Sequence, residues 1–239
     1  MTGPSTPPRV VIVTGASSGI GRATAVLLSR QGATVVLASR SEAALLEAQA
    51  ECRARTTLVV PTDVSDRASV TKLFAAAVDA YGRVDVVVHS AAVLAYGRFE
   101  DVPPEVFDAA IATTLTGTAN IAREALRQFA VQGGGSLVVV GSLLGKIATP
   151  YMSSYVTAKW AVHGLVRTLQ VEARQTPGVH VSLVSPGGVN TPVYLQAGTY
   201  VVGMGGRRRR SCLPSASRPL SCGASTGPPG RPTWGRQTR

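Results

Sequence analysis

With 239 residues, 45% of them hydrophobic, the chain can bury one substantial α/β core, and no apolar run reaches the roughly 20 residues of a membrane span. The formal charge of +11 invites a nucleic-acid partner, but Arg207 to Arg210, Arg218, Arg231, Arg236 and Arg239 crowd the last 33 residues, and without these eight the charge is +3, an ordinary globular surface. Cys52, Cys212 and Cys222 form neither a metal-ligand spacing nor a disulfide framework and Met1 to Arg9 carries no apolar stretch, so no metal is expected and a reducing, cytoplasmic setting is.

The elements alternate regularly. Val10 to Val13 is a β-branched strand running into a glycine-rich turn, and Ile20 to Ser29 follows with helical spacing. Gly32 closes that helix and Thr34 to Ala38 form a second buried strand. Ser41 is placed to cap a helix through about Arg53, Thr57 to Val60 make a third strand, and Asp66 to Tyr81 another helix. Val84 to Val88 is the fourth strand. Pro103 and Pro104 open a helical region to about Val131, Gly133 to Gly135 end it, and Ser136 to Val140 form the fifth strand. A helix from Ser153 to about Ala173 and a sixth strand, Val179 to Val184, complete the pattern. Such alternation predicts an α/β fold with a parallel sheet covered on both faces and a ligand site at the carboxyl ends of the strands.

Gly15, Gly19 and Gly21 have the spacing G-x-x-x-G-x-G between the first strand and its helix. Glycines there let the backbone approach a pyrophosphate while the helix points free N–H groups at the charge; a plain strand-to-helix turn is the alternative. After the second strand an acidic residue would bind the ribose hydroxyls of NAD, whereas this chain has Ser39 and Arg40. A guanidinium favours a 2′-phosphate, so NADP is expected over NAD, with Arg22 placed to assist, unless both arginines are solvated surface charges. Asp63 stands where it could meet an adenine edge or cap a turn.

Tyr155 is a weak base at neutral pH because a phenol ordinarily titrates near 10. Lys159, one helical turn on, puts a positive charge on the same face and would stabilise the phenolate. Ser142, at the end of the fifth strand, lies thirteen residues before Tyr155. Glycine turn, serine, tyrosine and lysine in this order point to a nicotinamide-dependent oxidoreductase. His163 and His180 read as structural; His89, at the end of the fourth strand, stands nearer the expected cofactor.

Residues 9 to about 195 resemble the short-chain dehydrogenase/reductase family, through T-G-A-S-S-G-I-G at Thr14 to Gly21, Asp63-Val64, Gly141-Ser142, Y-V-T-A-K at Tyr155 to Lys159 and P-G-G-V-N-T at Pro186 to Thr191. The resemblance implies a Rossmann-type, doubly wound sheet in the order 3-2-1-4-5-6, which the family extends with a seventh strand. It implies Tyr155 as general acid/base, Lys159 holding the nicotinamide ribose, and Ser142 bonding the oxygen of a small-molecule carbonyl or alcohol substrate. Gly15, Ser17, Ser18, Gly19, Ile20, Gly21, Arg40, Asp63, Val64, Ser90, Ala91, Pro186, Gly187, Val189 and Thr191 are the implied cofactor contacts, with Tyr155 and Lys159.

Two departures stand out. His89-Ser90-Ala91-Ala92 replaces the family's N-N-A-G, a mild change. Thr114 replaces the asparagine of N-L-x-G, which in the family anchors a water linking the lysine to solvent. A threonine hydroxyl is shorter and lacks the amide's fixed donor and acceptor pair, so slower proton delivery is expected unless Thr114 or Asn120 holds that water.

Residues 1–8 are expected to be flexible, 9–202 to form the Rossmann domain, and 203–239 to be a disordered basic tail. From Gly203 onward there is no acidic residue and little apolar surface to bury, where the family supplies a lid helix, a seventh strand and a closing helix. With 21 Arg against 3 Lys overall, the tail has the composition of a GC-rich gene read out of frame. A missing seventh strand would leave the sixth as an exposed edge and compromise the family-type homo-oligomer. The main alternative is a nucleotide-binding relative with little or no turnover; a nucleic-acid role for the tail is not expected, because a basic run without aromatic residues interleaved is usually a solvated one.

Overall fold

The computed structural model describes residues 8–52, 57–195 and 197–201. The tail beyond 201 and most of the N-terminal segment, with the expectations attached to them, lie outside the described residues. β1 (Val10–Thr14), α1 (Gly19–Arg30), β2 (Thr34–Ser39), α2 (Glu42–Glu51), β3 (Thr57–Pro61), α3 (Arg67–Tyr81) and β4 (Val86–His89) build the first half. Then come β5 (Ala95–Tyr96), α4 (Pro104–Ile111), α5 (Gly117–Gln132), β6 (Gly135–Val140), α6 (Ser153–Glu172), β7 (Val179–Val184), α7 (Pro192–Leu195) and β8 (Gly198–Thr199). The six long strands run parallel in the order β3-β2-β1-β4-β6-β7, which is the expected 3-2-1-4-5-6 once the two-residue β5 is set aside.

β1 lies at the centre and every residue of it is buried, Ile12 pairing with Val36 on one side and Val87 on the other. Its side chains alternate between two cores, as the two-residue period of a strand requires. Ile12 and Val36 pack with Val70, Leu73 and Phe74 of α3, Ile121 and Phe129 of α5, and Val162 and Val166 of α6. Val11, Val13, Val35 and Leu37 pack with Ala25 of α1 and Leu45 and Ala48 of α2. β-branched runs buried on both faces cannot serve as the half-solvated helices of this fold, so here the strand pattern and the burial agree. Burying a side chain such as Phe129 completely stabilises the fold by about 2 to 3 kcal/mol.

Local signals fix the helix ends. The Ser41 hydroxyl accepts the Ala44 N–H at 3.3 Å, and the Asp66 carboxylate accepts from Ala68 and Ser69 at 3.1 Å each. Gly82 and Gly133 end α3 and α5 in the left-handed conformation.

The region read as one helix from Pro103 to Val131 is divided. Between α4 and α5, residues Ala112–Thr116 wind as a π-helix around the buried Thr114. Insertions of this kind interrupt a helix at functional sites without leaving a mark in hydrophobic periodicity. β5 and β8 pair in parallel, Ala95 with Gly198 and Tyr96 with Thr199, while Gly97 N–H donates to the Tyr151 carbonyl at 2.9 Å. Segment 95–97 therefore ties the residues after α7 to those leading into α6. Neither pairing was expected.

β7 is an edge of the six-stranded sheet, and no described strand pairs with its outer side. Val179, Val181 and Leu183 pack on the α3/α5/α6 side, whereas Ser182 and Val184, in register with Val138 and Val140, face the α1/α2 side, where Val184 is half exposed. None of the described helices is long and apolar enough to cross a membrane.

Candidate active site

The carboxyl ends of β1, β2, β4, β6 and β7 open on a cleft of about 600 Å³. Its floor begins where β1 ends and the chain turns through Gly15 (φ +67°) to Gly19 (φ +54°), a conformation that L side chains rarely adopt. At Gly21 a Cβ would run into the carbonyl oxygen of Gly15 and stand 2.6 Å from Ser90 Oγ, so only glycine lets α1 pack this tightly on the turn. Ser90 stitches the neighbouring strand end to it, its hydroxyl donating to Thr14 O at 2.7 Å and its N–H to Thr14 Oγ1 at 3.3 Å. The Ser18 side chain makes no capping bond and the first turn of α1 holds no acid, which leaves an electropositive helix end on the cleft.

All of the expected cofactor residues line this cleft: Gly15, Ser17, Ser18, Gly19, Ile20, Gly21, Arg40, Asp63, Val64, Ser90, Ala91, Tyr155, Lys159, Pro186, Gly187, Val189 and Thr191. Ser142 lines it too; Thr114 does not, being fully buried behind the wall that Thr113 contributes. Val193 and Tyr194 of α7, together with Thr62, Val93 and Val140, also line it and were not singled out in the sequence. The P-G-G-V-N-T run was the available pointer to α7, since a short helix directly after it must cover the same cleft.

The two arginines separate. Arg22 pairs with α2, at 2.7 Å from Glu51 and 3.5 Å from Glu47, and does not line the cleft. Arg40 is exposed at the cleft rim and makes no ion pair among the described residues. Asp63 caps a turn, its Oδ1 accepting the Ser65 N–H at 2.9 Å and the Ser65 hydroxyl at 2.6 Å. That hydroxyl bond, with the amide and the charge of Arg40, holds its carboxyl below the usual range.

Tyr155 and Lys159 lie on one face of α6, the ammonium 5.7 Å from the tyrosine ring centroid. Nζ donates to the Val140 carbonyl at 2.8 Å, and full burial lowers its pKa to about 8. The depression expected for Tyr155 is not found. Burial raises the phenol, a hydrogen bond with the Ser142 hydroxyl opposes this, and the phenols of Tyr194 and Tyr96 raise it further. The tyrosine is thus held neutral, with Ser142 as its partner. Ser142 Oγ also accepts the Leu144 N–H at 3.1 Å.

His89 is fully buried, its Nδ1 at 2.7 Å from Thr14 Oγ1, and burial together with the charge of Lys159 lowers its pKa to about 3. It is a neutral strand-end residue and does not line the cleft. Thr114 Oγ1 accepts the Val93 N–H at 3.2 Å, and the Thr114 carbonyl accepts the Thr118 hydroxyl at 2.6 Å. Asn120 directs its amide N–H groups to the carbonyls of Val64 and Ser65, at 3.1 and 3.3 Å.

Comparison with known proteins places this geometry. A family profile described as short chain dehydrogenase matches residues 9–198. An uncharacterised oxidoreductase of Bacillus subtilis, YxnA, is 35% identical over 198 residues, 81% of this chain; the chain spans only 55% of that relative's length. An alcohol dehydrogenase from Thermococcus sibiricus, solved with 5-hydroxy-NADP, is 32% identical and superposes with a TM-score of 0.73 over 80% of each chain. A short chain dehydrogenase/reductase from Burkholderia phymatum, solved with NAD, is 32% identical with a TM-score of 0.75 over 78% of this chain and 68% of its own.

Proposed function

The chain belongs to the short-chain dehydrogenase family, and from that premise we propose that it interconverts a carbonyl and an alcohol with NADP, Tyr155 acting as general acid/base. The observation that carries the reading is the meeting of Ser142, Tyr155 and Lys159 with the glycine turn on one cleft. When bound, the nicotinamide supplies or accepts the hydride.

The residues fit such a cofactor. The uncapped α1 terminus and the turn from Gly15 to Gly21 suit a pyrophosphate, and Arg40 suits a 2′-phosphate. Asp63 and Val64 would border the adenine, Ser90 and Ala91 the adjoining ribose, Tyr155 and Lys159 the nicotinamide ribose. Pro186, Gly187, Val189 and Thr191 would flank the nicotinamide. In reduction the neutral Tyr155 gives its proton to the substrate oxygen while the Ser142 hydroxyl bonds the same oxygen. Lys159, with a pKa near 8, is poised to return a proton to the phenolate.

Arg40 carries the preference for NADP; the structural neighbours include one protein solved with an NADP derivative and one with NAD. A calorimetric titration with NADPH and NADH tests it. Selective binding of NADPH is expected, and binding of neither nucleotide would overturn the reading.

A second reading, a nucleotide-binding relative with little turnover, is favoured by Thr114, which stands where the family has asparagine and whose short hydroxyl already accepts the Val93 N–H. Turnover gained on Thr114→Asn from an inactive parent would establish it. In either case we take residues 9–202 as the functional domain, in the cytoplasm, with the half-exposed β7 edge weakening a family-type oligomer.

A further inference from the structure

His163 lies two helical turns beyond Tyr155 and one beyond Lys159, on the same face of α6. It is buried and its ring fills the space that two glycines leave around Ser142. A Cβ on Gly141 would stand 2.7 Å from His163 Nε2, and one on Gly145 2.5 Å from its Cδ2. The turn from Gly141 to Gly145 therefore rests on the imidazole, and Ser142 rides on that turn. The polar atoms of the ring are used as well. Nε2 meets Ser185 Oγ at 3.3 Å, and the main-chain carbonyl of Ser142 faces the ring. Ser185 directly precedes Pro186, whose carbonyl accepts the Leu143 N–H at 2.9 Å.

We propose that His163 is a positioning residue that sets Ser142 against Tyr155 and ties the Ser142 turn to the strand end carrying Pro186 and Gly187. The proposal rests on the reading of Ser142 as the group that bonds the substrate oxygen. An apolar residue would serve if filling space were all that is required, as Val162 and Val166 do on the same helix. The imidazole instead packs on the turn from Gly141 to Gly145 and meets the hydroxyl of Ser185 at 3.3 Å, so it touches two loops that border the cleft from different strands. A reacting group displaced by about 1 Å costs on the order of a hundredfold in rate, so a turn without side chains of its own at Gly141 and Gly145 depends on what it rests upon.

The test compares His163→Leu, which keeps bulk and removes the polar contact to Ser185, with His163→Gln, which returns an amide near the position of Nε2. Phenanthrenequinone serves as carbonyl probe with NADPH as reductant. His163→Leu is expected to lower kcat by about tenfold or more with the KM for NADPH within about threefold of the parent, and His163→Gln to recover part of the loss. A kcat equal to the parent's in His163→Leu overturns the proposal. Amide hydrogen exchange over residues 142–146 supplies a readout that needs no turnover. Faster exchange in His163→Leu, restored in His163→Gln, supports the proposal, and unchanged protection overturns it. If the parent itself oxidises no NADPH, the reductase reading fails while exchange still decides the role of His163. Should His163→Leu not fold, Ser185→Ala removes the hydroxyl opposite Nε2, and unchanged exchange together with unchanged kcat overturns the proposal there.

Discussion

Lys159 and Tyr155 are one turn apart on α6, yet the lysine ammonium donates to the carbonyl of Val140, 2.8 Å away, and stands 5.7 Å from the tyrosine ring centroid. A single hydrogen bond to a main-chain carbonyl offsets only part of the cost of burying an ammonium. The consequence for stability has a definite sign. With a folded pKa of about 8 against an ordinary value of 10.5, the unfolded chain binds more protons between these limits, so this group's penalty is full below about pH 8 and fades as pH rises through the window. Lys159→Met is expected to melt higher than the parent at pH 7, by on the order of 2 kcal/mol, with the gap narrowing toward pH 10. Paired thermal melts at the two pH values check it, and a pH-independent gap would contradict it. Turnover is lost in the same variant.

His89 gives the acid side. Its pKa of about 3 when folded lies below the ordinary 6.5, so the unfolded chain takes up the proton first and stability falls as pH drops below about 6.5. The slope attributable to it approaches about 1.4 kcal/mol per pH unit. His89→Asn is expected to flatten the decline between pH 6.5 and 4 in urea titrations; a parent and variant falling in parallel would remove His89 as the cause.

Arg40 is exposed at the rim without an ion pair among the described residues, so replacing it disturbs little else. Arg40→Asp is expected to weaken NADPH by about tenfold or more and to improve NADH, because a carboxylate repels a 2′-phosphate and accepts from ribose hydroxyls. Calorimetry on both nucleotides reads this directly. Equal losses for the two would mean that Arg40 reads no 2′-phosphate.

The Ser142 hydroxyl accepts the Leu144 N–H and stands near enough to the Tyr155 phenol to oppose the rise in its pKa. Ser142→Ala is expected to lower kcat by about a hundredfold or more while NADPH affinity stays within about threefold, the pattern of a group that bonds the reacting oxygen. Steady-state kinetics with phenanthrenequinone separates the two constants. A matching loss of nucleotide affinity would place Ser142 in cofactor binding instead.

Thr114→Asn is expected to raise kcat by about tenfold if proton return limits the parent, since an amide reaches further than the hydroxyl and holds its donor and acceptor in a fixed pair. A solvent isotope effect that shrinks in the variant would identify the step. No change in kcat would show that Thr114 already suffices.

Much of this site could be read before any coordinates. The strands announced themselves because Val10 to Val13 and Thr34 to Ala38 are buried on both faces and hence uniformly apolar, and Ser41 and Asp66 cap helices through bonds within three residues. The π-helical turn at Thr114 left no trace in the periodicity, and the bond its hydroxyl accepts from the N–H of Val93 comes from another segment. The pairing of β5 with β8 joins two-residue strands about a hundred positions apart, too short to show periodicity. The ion pairs of Arg22, which in sequence is placed to assist Arg40 or to stand as a surface charge, were not legible, because Glu47 and Glu51 come beside it only when α1 and α2 pack together.

The order of apolar runs and the spacing of glycine turn, Ser142, Tyr155 and Lys159 determined, without coordinates, a parallel sheet and a cleft at its carboxyl edge, since period and local turn chemistry act over a few residues. Only the tertiary structure decided how the polar groups are spent: Lys159 on Val140, Asn120 on Val64 and Ser65, Ser142 on Leu144, and His163 on Ser185. Hydrogen-bond partners are chosen by proximity within about 3 Å, and proximity between segments distant in sequence exists only after the layers have packed.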